Sequence, residues 1–221
     1  LAAELNRTCF CISLDRQGLA DAMRKASRDD DFFVRHIESR PHLFSNLPIF
    51  LPRADLDSMM ATVAAIEDVA QLPGYQEAAA AWAPAIARAD HGPRGALMGY
   101  DFHLAGDAPR LIEINTNAGG AFLNAFSAKA QLACCADVAA AIADAQATNF
   151  DSHAIAMFEA EWRLQGRVGR PKIIAIVDDA PEAQYLYPEF LLAQRLFEAN
   201  GMVSMIADPS ELAYDGHVLT C

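Results

Sequence analysis

The residues with the clearest capacity for chemistry are Asp101, His103, Glu113 and Asn115, in the stretch Leu97–Ala125, LMGYDFHLAGDAPRLIEINTNAGGAFLNA. Two apolar-alternating runs, Leu97–Leu104 and Leu111–Asn115, flank a polar connection containing Gly106 and Asp107. Side chains on a strand alternate between faces, so Asp101 and His103 share one side of the first run. Leu111, Glu113 and Asn115 share one side of the second, and Ile112 and Ile114 take the other. In a hairpin, directly opposed residues point the same way. A three-residue loop Gly106-Asp107-Ala108, or the five-residue 105–109, sets Asp101 opposite Glu113; a two-residue turn opposes Asp101 to Ile112 instead.

In the first register Asp101, Glu113 and Asn115 present three hard oxygens on one face, the outline of a magnesium site of the kind that holds nucleotide phosphates. The plainer reading is a surface hairpin whose polar face meets water. Against it stands the small loop Thr116-Asn117-Ala118-Gly119-Gly120, which ends in glycines and opens onto a helix.

These residues need a scaffold, and 221 residues suffice for one large domain or two small ones with a real core. A hydrophobic fraction of 53% against 21% charged reads as globular. A net charge of −12 argues against nucleic acid as a partner, because phosphate backbones call for a basic surface. No apolar run reaches the roughly 20 residues of a membrane span, so no membrane partner is expected. Five cysteines, with no C-x-x-C, read as buried thiols in a reducing cytoplasm. The chain starts at Leu1 and ends at Cys221 just after an apparent strand, as a piece of a longer protein would.

The chain in order predicts a strand over 8–14 and helices near 16–27 and 30–39, the second opening on Asp29-Asp30-Asp31. Pro41, Pro48 and Pro52 mark an extended connection. Leu56, Met59, Met60, Val63, Ile66 and Val69 recur at helical spacing over 55–72, with Asp55 as N-cap, Pro73-Gly74 as the stop and the methionines as core filler. A second helix spans roughly 75–88, kinked at Pro84. After the hairpin come a long alanine-rich helix over 122–146 and an amphipathic one over 151–164. The segment 167–171 is a boundary.

The pattern then changes to a βαβ unit. The apolar, β-branched run Lys172–Asp179 reads as a central parallel strand, a helix carries Pro188 near its first turn and ends at Asn200-Gly201, and 202–206 form the next strand. Asp178 and Asp179 at the first strand's end read as helix caps ahead of substrate contacts. Asp215-Gly216 makes a hairpin turn between 212–214 and 217–220. Neither G-x-G-x-x-G, G-x-x-x-x-G-K-[ST] nor G-x-S-x-G occurs, so dinucleotide, P-loop and serine-hydrolase readings fail at their first requirement.

Asp101, followed about a dozen residues later by Glu113-Ile114-Asn115 and then Asn117-Ala118-Gly119, resembles the metal-binding strand pair of the ATP-grasp superfamily. The family's loop often ends in Pro-Gly; Ala118 replaces that proline here. The E-x-N strand precedes the α/β unit instead of following it, so the order is similar to circularly permuted members, the glutathionylspermidine-synthase-like group. The resemblance covers about 97–125 and 171–221.

It implies an α/β fold, α+β in its first part. Region 1–166 would hold helices and an antiparallel ATP-grasp-type sheet portion, and 167–221 the start of a parallel α/β domain. It further implies an ATP-dependent ligase that activates a carboxylate as an acyl phosphate for attack by an amine or thiol, with ATP and Mg2+ as cofactors. By resemblance Asp101, Glu113 and Asn115 are metal ligands, while Asn117, Gly119, Gly120 and His103 contact ATP or substrate. The catalytic residues stay unassigned, and the lysines that hold ATP phosphates are expected beyond Cys221. A degenerate module that binds without turnover is the alternative reading, and an unrelated α/β domain with a mimicking hairpin is the third.

Overall fold

A computed structural model describes residues 2–8, 16–45, 49–104, 108–130 and 149–221. The described elements mix helices with three two-stranded sheets, an α/β composition in the broad sense. The helices are α1 (Ala2–Thr8), α2 (Arg16–Ser27), α3 (Asp30–Phe32, continued as a π-helical turn Phe33–Glu38), α4 (Arg53–Ala70) and α5 (Pro73–Trp82). The hairpin β1 (Gly99–His103) and β2 (Arg110–Asn115) precedes α6 (Ala121–Ala130) and α7 (Phe150–Leu164). The parallel pair β3 (Ile173–Val177) and β4 (Val203–Ala207) flanks α8 (Tyr187–Ala199), and β5 (Ala213–Tyr214) pairs with β6 (Leu219–Thr220).

Two helices, α6 and α8, cross at the centre because each carries apolar residues on two faces. Leu123 and Phe126 of α6 join Met23, Phe32, Phe33 and Ile37 in one cluster, against which Leu191 and Leu192 of α8 pack. Phe122 on the other face of α6 meets Ala193 and Phe197 of α8 with Ala154, Ile155 and Met202. Phe197 is only 1% exposed and packs edge-on against Phe158. Burying a side chain of that size stabilises by roughly 1.5–3 kcal/mol. Polar ties cross the same junction: Arg195 bonds Asp29 at 2.7 Å and lies over the Phe32 ring, and Arg40 Nε donates to Tyr185 O. The βαβ unit is thus packed onto the helices that precede it in sequence.

Several expectations are corrected. Thr8 closes α1 instead of opening a strand, and 9–15 lie outside the described residues, as do 131–148, where most of the alanine-rich helix expected over 122–146 falls. Cys9, Cys11, Cys134 and Cys135 fall there too, while Cys221 is exposed. Helix α4 starts at Arg53 after Pro52, whose fixed φ suits a helix entry, so Asp55 sits inside the first turn and caps nothing. Pro73 begins α5 instead of merely ending α4. Met60, Leu56 and Val69 are exposed and no residue of α4 is buried, so the helical periodicity there does not mark core. Helix α5 ends at Trp82; Pro84 breaks it, and Ala85–Arg88 form a separate 3-10 turn.

Asp178 and Asp179 do not cap α8, which begins without a side-chain cap. Asp178 instead accepts from the Asp179 amide, and Asp208 accepts from Ala180 N. Ile173, Val177 and Val203 are exposed, so the β3–β4 sheet is covered by α8 on one face only. A hairpin forms around Asp215-Gly216, but its connection spans 215–218 and not two residues: Tyr214 pairs with Leu219, Gly216 takes φ +97°, and the Asp215 carboxylate accepts from His217 and Val218 N–H, which draws those residues into the turn.

Candidate metal and phosphate site

The hairpin pairs Asp101 with Glu113, by a different route from the one the loop length suggests. Near the turn, His103 faces Arg110 and Phe102 faces Leu111. That register by itself would bring Asp101 to Ile112. A bulge between Asp101 and Phe102 skips Ile112, and the pairing resumes as Asp101–Glu113, Tyr100–Ile114 and Gly99–Asn115. An extra residue shifts a ladder by one, which is how a bulge re-aims side chains near a site. Residues 105–107, including Gly106 and Asp107, lie outside the described residues.

The three side chains meet. Asn115 Nδ2 donates to Glu113 Oε1 at 2.9 Å and to Asp101 Oδ2 at 3.2 Å. The amide hydrogens bridge two carboxylates that would otherwise repel. Among the described residues no three His, Cys, Asp or Glu side chains gather as a metal-holding group; this set is two carboxylates and an amide. His103 lies at the turn end of β1, exposed and opposite Arg110, and takes no part in the hydrogen bonds of the Asn115 bridge.

The loop after Asn115 is shaped by close contacts. Ala118 N donates to Leu97 O at 2.6 Å, and Leu97 and Asn117 both take positive φ, +55° and +56°. Asparagine tolerates that conformation; leucine there is strained, at a cost of order 1–3 kcal/mol. Gly99 is required because a Cβ at that position would come within 2.9 Å of the Ala118 Cβ. Outside the hairpin, Glu161 Oε2 of α7 accepts from Arg94 N and Gly95 N at 2.7 and 3.0 Å. Tyr100 OH donates to Glu67 of α4. The hairpin is therefore tied to α4, and the loop that leads into it to α7.

Asp101, Asn115, Thr116, Asn117 and Gly119 line a polar cavity of about 580 Å³. Gly120, at φ +95°, leads into α6, where sequence reasoning missed the decisive residue. Glu189 of α8, 5% exposed, accepts from Phe122 N at 3.0 Å and Leu123 N at 2.8 Å. Burial pushes its carboxyl above the ordinary value, while the amides of Phe122, Leu123, Gly120 and Ala121 pull it back. Two amides of the first turn of α6, just after the Gly119-Gly120 backbone expected to contact ATP or substrate, are thus directed to an internal carboxylate. Glu189 is separated from Phe122 and Leu123 by 67 and 66 residues, and only its place in the first turn of an apolar helix hinted at burial. Gly119 and Asn117 stay on the cavity wall.

No protein-family model matches the chain, and neither the curated proteins nor the solved structures include a match to it.

Proposed function

We propose that Asp101, Glu113 and Asn115 hold a magnesium ion that carries nucleotide phosphates, and that the chain is part of an ATP-dependent ligase joining a carboxylate to an amine or thiol. The observation that carries this reading is the convergence of the three side chains on Asn115 Nδ2, across a register that a bulge has to restore. Its amide orientation follows the two acceptors around it; turned over, the same side chain offers Oδ1. Two carboxylates and a neutral oxygen then fit a hard divalent cation with positions left for phosphate oxygens. A bound Mg2+ would neutralise charge developing on a transferred phosphoryl group. The chain's own residues contribute position. β1 and β2 fix the carboxylates, and Asn117 with Gly119 forms the adjoining wall of the polar cavity. The substrates fitting this reading are a small carboxylic acid and an amine or thiol, and the resemblance to permuted ATP-grasp proteins supports it.

A second reading, a module that binds nucleotide without turnover, is favoured by one observation. The α6 amides are engaged by Glu189, so the loop offers phosphate fewer donors than a free helix N-terminus would.

Titration of Mg2+-dependent ATP binding separates these readings from a mimicking hairpin. The metal reading expects a loss of tenfold or more in Mg2+-dependent affinity for Glu113→Gln, against unchanged binding in the mimicry case. ADP release on mixing carboxylates and amines then divides ligase from binding module.

A further inference from the structure

Behind the Asn117–Gly119 wall lies a second cavity of about 430 Å³, between the loop, β3 and α8. Its body is apolar: Phe122, Phe158, Ile174, Ile176, Phe190 and Phe197 contribute walls. Its polar lining comes from Asp178, Gln184, Tyr185, Glu189 and Asn117, with no lysine, arginine or histidine among the lining residues. Ligand cavities run from roughly 300 to 1,000 Å³, so this one suits a single small ring or branched chain, and a dinucleotide is too large.

The polar groups set the sign of the ligand's head. Glu189 is buried, with both oxygens already accepting backbone N–H groups. Asp178 is half-buried at the carboxyl end of β3, where open α/β sheets receive ligands; among the described residues its carboxylate accepts from the adjoining Asp179 N–H alone. Gln184 already donates to Asp179 O, which leaves an amide oxygen to offer. A carboxylic acid placed here would face two carboxylates without a compensating cation. A hydroxyl gains a hydrogen bond and no charge pairing. An ammonium gains both, in surroundings where partial burial strengthens the attraction.

We propose that this cavity binds a primary amine with a compact apolar body, the ammonium at Asp178 and the body among Phe122, Phe158 and Phe197. The two cavities share Leu97, Asn117, Ala118 and Gly119, so the amine is held next to the metal edge. That placement makes it the acceptor of the proposed ligase, and this role alone rests on the ligase reading.

Calorimetric titration of the full chain, without magnesium or nucleotide, compares three probes of one shape: 2-phenylethylamine, 2-phenylethanol and 3-phenylpropionate. The expected order is amine, alcohol, acid, with the amine at least tenfold tighter than the alcohol and no acid binding at millimolar concentration. Asp178→Asn should weaken the amine about tenfold and leave the alcohol unchanged. Equal affinities of amine and alcohol, binding of the acid, or no binding of the amine overturns the proposal. Because no metal or nucleotide is present, failure here leaves the magnesium titration to be judged by itself.

Discussion

Two groups of carboxylates lie on either side of the Asn117–Gly119 loop and are built on opposite terms. Asp101 and Glu113 are exposed, come from neighbouring strands, and are bridged by one side-chain amide. Glu189 is buried, comes from a helix distant in sequence, and is held by backbone amides at the start of α6. The exposed pair can exchange its amide bridge for a ligand at little cost to the fold. The buried group cannot release its partners without leaving N–H donors unpaired. Similar chemistry thus suits the proposed ligand edge in one case and forms a joint of the scaffold in the other.

The largest effect should come from breaking the buried half. Glu189→Ala leaves Phe122 N and Leu123 N without their acceptor at a buried position. Buried donors stranded in this way, with the lost charge-assisted bonds, predict a loss of about 3 kcal/mol in urea denaturation. A loss below about 1 kcal/mol would show that water reaches the α6 N-terminus and that Glu189 is not the joint described.

A smaller, pH-dependent effect sharpens the same point. Burial raises the Glu189 carboxyl above its ordinary value near 4.5, against the pull of the backbone amides. The folded state therefore keeps its proton over a range where the unfolded chain has already lost it. Relative to Glu189→Gln, wild-type stability should be greatest at low pH, fall as pH rises from about 4.5 through the folded value, and level off above it. Asp29, Asp208 and Asp215, all held below their ordinary values by hydrogen bonds, act in the opposite direction but cancel in the difference. Paired urea denaturation of both proteins from pH 4 to pH 8 reads it; a difference that grows with pH would reverse the assignment of burial as the dominant influence.

The exposed half was more legible than the buried one because it is local. Asp101 and Glu113 sit on strands joined by a short connection, so alternation and pairing nearly suffice to bring them together. Loop length left two partners open for Asp101, Glu113 or Ile112, and the bulge that skips Ile112 to reach Glu113 is invisible to simple parity. The βαβ unit was also readable, from its β-branched strand, its helix and Asn200-Gly201. Glu189 was not, because nothing local ties it to Phe122 and Leu123. The periodicity of α4 misled in another way: apolar spacing shows which residues share a face, and only packing decides whether that face is covered.

The smallest stability effect belongs to the site itself, and its smallness is the informative part. Glu113→Gln keeps an oxygen able to accept from Asn115 Nδ2, so the bridge seen at 2.9 Å survives the change. It removes one of two negative charges that face each other across β1 and β2, which relieves repulsion. Both carboxylates are exposed, so neither bears a large desolvation penalty. The sum should lie within about 0.5 kcal/mol of wild type, as for other surface changes, with stabilisation the favoured direction. A thermal denaturation series in the absence of divalent ions measures it. A loss above about 1 kcal/mol would mean that the pair supports the hairpin as Glu189 supports α6, and the distinction between a ligand edge and a structural joint would collapse. A neutral result beside a tenfold loss of Mg2+-dependent affinity is what a group kept for a ligand produces.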